Sequence, residues 1–171
     1  RRAQMWVMRN GLYTKIMRSR PKSTMALLED IAVPMEQLGG VCTELQVLFD
    51  KHNYDGAVIF GHAKNGNIHF LVTEDFAGPE SLNRYDQFTE DMVELVLREQ
   101  GTLKAEHGTG RIMSPFVHRK YGDDLYQAMV DVKNACDPKR ILNPGTIITD
   151  DPQLHLKHIK STDPVRQIID D

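Results

Sequence analysis

Two short segments carry most of the residues able to do chemistry: "GHAKNGNIHF" at 61–70 and "KAEHGTGR" at 104–111. Between them they hold His62, His69, Glu106 and His107. Two imidazoles and a carboxylate are the ligand set of a divalent metal with open coordination positions. A further imidazole beside the carboxylate is a candidate base. The first segment bears on whether these groups converge. Asn65-Gly66 is a hairpin signal, because both residue types tolerate positive φ. Along the strand that follows, alternation puts Asn67 and His69 on one face. If the loop pairs His62 across from Asn67, His62 joins that face, diagonal to His69. The same residues also fit two surface histidines flanking a turn. Glu106 and His107 are neighbours, and neighbours on a strand point to opposite faces. Both reach one site only if the chain bends at Gly108 and Gly110; otherwise they belong to an exposed polar turn.

Arg9, Lys104 and Arg111 are candidate binders of a substrate carboxylate, since a guanidinium grips a carboxylate with two parallel hydrogen bonds. Each alone also fits a solvated surface charge. Asn67 is a fourth candidate, on the face of His69. Trp6 reads as core, and His52, His118, His155 and His158, with no partner at a convincing spacing, read as structural or exposed. There is no P-loop, no G-x-S-x-G elbow, no H-E-x-x-H and no full G-x-G-x-x-G. On the residues alone, a metal-dependent hydrolase and a non-catalytic domain with a structural metal both remain open.

The elements that must position these groups follow from periodicity. Residues 3–18 read as a short helix, and 24–32 as a strand. Pro34 suits the first turn of a helix running to about 50, with Leu38, Val41, Leu45 and Leu48 as its buried stripe. Residues 57–62 and 67–73 are the two hairpin strands. A helix over 80–99 buries Tyr85, Phe88, Met92 and Leu95 and stops at Gly101. "TLKAEH" reads as a short strand, and 123–135 as a helix with Leu125, Met129 and Val132 facing in. The order predicts an α+β fold: an antiparallel sheet with helices on one face. Residues 1–150 read as one domain and 151–171 as a linker.

Composition narrows the setting. The 171 residues, 40% hydrophobic and 26% charged, suit one soluble domain. A net charge of -3 gives no electrostatic reason to expect nucleic acid. No apolar run approaches a membrane span, and no signal-peptide pattern opens the chain. Because it begins at Arg1, it reads as a piece of a longer chain. Cys42 and Cys136 fall at apolar-periodic positions and read as buried, reduced thiols in a cytoplasmic setting.

"IFGHAKNGNIHFLVT", "GTLKAEHGTGR" and "DPKRILNPG" together resemble the C-terminal domain of FAD-linked oxidases of the vanillyl-alcohol-oxidase type. That group includes D-lactate dehydrogenase, the glycolate oxidase flavin subunit and D-2-hydroxyglutarate dehydrogenase. The wording most resembles the large fused bacterial proteins in which an iron–sulfur module follows the FAD module. The resemblance implies a ferredoxin-like cap domain that oxidises a small 2-hydroxy acid with FAD held mainly upstream. It implies a divalent metal, commonly zinc, on His62, His69 and Glu106, with His107 as base. It places Arg9 on the substrate carboxylate and Asn143, Pro144 and Gly145 near the flavin. Electrons would leave to iron–sulfur clusters or a quinone-linked acceptor, which is compatible with peripheral association at the inner membrane and with a homo-oligomer. In the hydroxyglutarate enzymes a lysine stands where this chain has Leu28, and an asparagine where it has Leu71, so no single hydroxy acid is singled out.

Overall fold

The computed structural model describes residues 2–159. Helix α1 (Arg2–Ser19) has apolar residues on all sides and no buried residue. Trp6 is therefore exposed, not core, and the Arg9 guanidinium lies 5.1 Å over its ring. Strand β1 (Met25–Ala32) follows. After Pro34 a single 3-10 turn (Met35–Gln37) leads into α2 (Leu38–Lys51), a few residues later than the proline suggests. Its stripe is as expected at Val41 and Leu45; Leu38 and Leu48 are only partly buried, and Phe49 completes the contact.

Strands β2 (Val58–His62) and β3 (Asn67–Glu74) form the hairpin. Only Gly66 takes the left-handed conformation, at φ 64, while Asn65 stays in a 3-10 turn. The loop is pinned to the chain leaving β1: the Val33 N–H donates to Gly66 O at 3.0 Å. Helix α3 (Pro79–Arg98) starts on its proline and buries Tyr85, Phe88, Met92 and Leu95. At its end Gln100, not Gly101, takes positive φ. Gly101 is required by packing, since a Cβ there would sit 2.7 Å from Ala32 O.

The sheet has the order β1-β3-β2, antiparallel throughout. The strand expected for "TLKAEH" shrinks to one bridge, Thr102 to Ala32, on the free edge of β1. The reason lies in the next hydrogen bonds. The N–H groups of Glu106 and His107 turn to the Asp30 side chain instead of continuing a ladder. With that remnant the element order from β1 onward is the βαββαβ of the expected α+β fold.

The core lies between one face of the sheet and helices α2 and α3. Ile31, Ile68, Phe70 and Val72 meet Val41, Leu45, Phe88 and Met92 there. Phe49, Phe70 and Phe88 pack with ring centroids 5.7–5.9 Å apart.

Helix α4 (Val117–Cys136) is interrupted at Gly122, with φ 74 and ψ 177. Its expected inward stripe is corrected: Leu125 and Val132 are 57% and 65% exposed. They border a surface groove with Leu142 and Ile147. Both cysteines are free, but Cys136 is exposed and Cys42 only partly buried. Of the expected linker, residues 160–171 lie outside the described residues. The preceding Leu154–Leu156 turn packs on the domain, where buried His155 sits 2.8 Å from Asp86 and against Phe116. His52 is likewise buried, 2.6 Å from Asp91, and His118 is exposed beside Asp123. No described helix is long and apolar enough to cross a membrane.

Candidate functional site

The register of the sheet builds the site on the face opposite the core. Asp30 pairs with His69, and His62 pairs with Asn67. Alternation then sets Asp30, His62, Asn67 and His69 on one face, while Ile31, Ile68 and Phe70 go to the core. Gly61 holds φ 150, and a Cβ there would lie 2.5 Å from Asn67 O and 3.0 Å from His69 N. Only glycine lets β2 run this close to β3.

The loop after Thr102 brings in the remaining groups. In a strand, successive N–H groups point in opposite directions. Here the N–H groups of Glu106 and His107 both donate to one oxygen, Asp30 Oδ2, each at 2.7 Å. The chain is bent at these two residues themselves, and positive φ at Gly108 and Gly110 follows. Both side chains therefore reach the sheet face.

Glu106 Oε1 lies 2.9 Å from His69 Nε2 and 3.4 Å from His62 Nε2. His107 Nε2 is 3.7 Å from the same oxygen, and its ring stacks on His69 at 5.0 Å. His69 is buried, whereas His62, Glu106 and His107 are 42–48% exposed, so the cluster opens to solvent. The donor set fits a divalent ion. Ligands about 2.0–2.1 Å from a tetrahedral ion stand about 3.4 Å apart, near these spacings.

Asp30 is fully buried behind these groups. Burial pushes its carboxyl up, but the backbone N–H groups of Glu106 and His107 and the Asn67 amide hold it below the usual aspartate range. Asn67 donates to Asp30 Oδ1 at 2.7 Å, so this predicted substrate residue supports the site from beneath. Lys104 does not join the site. Its ammonium donates to Glu29 Oε2 at 2.6 Å, and the pair is nearly closed to solvent. Arg9 Nη2 comes within 3.5 Å of His62 Nδ1, which brings α1 to the cluster. Arg111 Nε donates to Pro144 O at 3.0 Å, and the Ile147 N–H donates to Gly110 O at 3.3 Å. These bonds tie the Asn143–Pro144–Gly145 turn to the loop that carries Glu106. Sequence reasoning missed Asp30 as an organiser. The signal was present: an acidic pair, Glu29-Asp30, inside an otherwise apolar strand.

The family described as "FAD linked oxidases, C-terminal domain" matches residues 1–147. The glycolate oxidase subunit GlcD of Bacillus subtilis is 32% identical over 73% of this chain and 26% of its own length. The mitochondrial D-lactate dehydrogenase [cytochrome] 1 of Saccharomyces cerevisiae is 32% identical over 79% of the chain and 22% of its own. A D-2-hydroxyglutarate dehydrogenase of Haemophilus influenzae is 31% identical over 71% of the chain and 12% of its own. The chain thus spans about a quarter of these relatives or less.

Proposed function

Because the chain belongs to the family of FAD-linked oxidase C-terminal domains, we propose that it is the substrate- and metal-binding part of an FAD-dependent 2-hydroxy-acid dehydrogenase. The observation that carries this reading is the convergence of His62, His69 and Glu106 on one point, with His107 alongside. When bound, a divalent ion such as zinc would supply Lewis acidity at the substrate hydroxyl, and FAD, held mainly by another domain, would supply the hydride acceptor. The residues of this chain do the rest. His107 takes the hydroxyl proton from the open side of the cluster. Arg9 grips the substrate carboxylate. A ligating His62 would carry its ring proton on Nδ1, the atom that Arg9 approaches, which would leave the Arg9 guanidinium to the substrate. Arg111 is the second cation at the site edge and holds the Asn143–Pro144–Gly145 turn where the flavin would abut. Lys104, paired with Glu29, positions the loop and does not touch substrate. Onward electron transfer to iron–sulfur clusters or a quinone-linked acceptor, in the cytoplasm or at the inner membrane, completes the reading.

The test uses the protein that carries this chain, with metal analysis beside anaerobic stopped-flow flavin reduction. About one divalent ion per chain is expected, and His62→Ala or His69→Ala should lose it. His107→Ala should keep the ion and slow flavin reduction by about 10²-fold or more. Unchanged metal content in both ligand variants would overturn the ligand set. If His107→Ala loses its ion as fully as Glu106→Ala, His107 is a ligand and not the base.

A further inference from the structure

We propose that Asp30 is the positioning residue of this site: it fixes the tautomer of His69 and holds Glu106 and His107 in one register. The proposal rests on the metal reading above and deepens it.

Asp30 touches the site only from behind. Its Oδ2 accepts the N–H groups of Glu106 and His107, each at 2.7 Å. Its Oδ1 accepts the Asn67 amide at 2.7 Å and lies 3.6 Å from His69 Nδ1. Asp30, His69 and His107 also lie close enough to hold an ion themselves. Three donors already occupy the Asp30 oxygens, however, which argues for a supporting role.

His69 Nδ1 is buried and has no hydrogen-bond partner among the described residues. The Asp30 carboxylate is the acceptor directly across the strand pair. A neutral imidazole carries one proton. With that proton on Nδ1, an N–H faces a carboxylate, and the lone pair is at Nε2. Nε2 is the atom 2.9 Å from Glu106 Oε1, so that lone pair suits an ion held between them, whereas without an ion the Glu106 carboxylate competes for an Nε2 proton. In the other tautomer a lone pair would face the carboxylate, and an N–H would occupy the metal position. Contraction by a few tenths of an ångström turns the 3.6 Å approach into a hydrogen bond. A carboxylate behind a ligating histidine orients the ring and raises its basicity.

The second role is geometric. Glu106 and His107 can serve one site only because their backbone is bent, and the bend is made by two successive N–H groups sharing Asp30 Oδ2. One buried oxygen thereby sets the spacing between a proposed ligand and the proposed base.

The test is zinc(II) affinity of the protein that carries this chain, by competition with a chromogenic chelator, together with histidine 15N NMR on its metal-free Glu106→Ala variant, where no second carboxylate competes for the His69 proton. Asp30→Asn should bind zinc roughly 10- to 100-fold more weakly. In the metal-free Glu106→Ala background, Asp30→Asn should shift His69 toward the tautomer protonated on Nε2. Zinc affinity within twofold of the unaltered protein would overturn this inference alone. Failure of the unaltered protein to bind zinc would overturn the metal reading, and this inference with it. If Asp30→Asn does not fold, the metal-free Glu106→Ala variant still decides: a proton on His69 Nδ1 supports the proposal, and one on Nε2 overturns it.

Discussion

Glu29 and Asp30 are adjacent acids on one strand, and the two faces of the sheet treat them in opposite ways. Glu29 points with Ile31 toward the core; Asp30 points with His69 toward the site. Both are buried. Burial pushes the Glu29 carboxyl up, and the single ammonium of Lys104 does not fully offset it. Burial acts on Asp30 in the same direction, yet two backbone N–H groups and an amide bring its carboxyl below the usual range. The number and placement of donors, not depth alone, decide whether a buried acid stays charged. The core face draws its stability from apolar packing. The site face draws order from hydrogen bonds and keeps His62, Glu106 and His107 half-exposed.

This contrast can be broken by mutation. The largest loss should come from the core face. Phe70→Ala, between Phe49 and Phe88, should cost about 3–5 kcal/mol in a urea melt; a loss below about 1 kcal/mol would show that the core face is not where stability resides. Lys104→Ala should cost roughly 2–3 kcal/mol at pH 8, because it strands a buried carboxylate. The sign of its pH dependence is fixed by Glu29, whose folded-state pKa is raised. The penalty is present when Glu29 is charged and fades as pH falls through that pKa. Equal losses at pH 8 and at pH 4 would exclude Glu29 as the cause. Asn67→Ala removes one of three donors from Asp30 and should cost about 1 kcal/mol, measured in the same way. His62→Ala, on the open side of the site, should change the stability of metal-free protein by no more than about 0.5 kcal/mol. A larger loss would mean that the site face carries stability after all.

The elements whose periodicity has only one reading were legible. The stripes of α2 and α3, the hairpin, and the pairing of His62 with Asn67 follow from local pattern. Helix α4 was legible as a helix but not in its orientation. Leu125, Met129 and Val132 recur at helical spacing whether the stripe meets this core or another surface. The "TLKAEH" strand failed because the competing acceptor, Asp30, lies 76 and 77 residues from Glu106 and His107. Trp6 failed for a related reason, since composition favours burial but α1 has no buried residue. Lys104 shows the limit for charges: its partner stands 75 positions away on a strand whose pattern looks apolar.

The close approach at Gly61 has a consequence for how this protein can vary. Every substitution there is larger, and the first atom added meets the backbone of β3, which no rotamer can avoid. In a saturation mutagenesis screen, position 61 should accept glycine alone. Exposed Lys64, three residues on in the hairpin loop, should accept nearly anything. Diversification of the site is therefore channelled into the loops and α1, while the strand backbone beneath the histidines is closed to it.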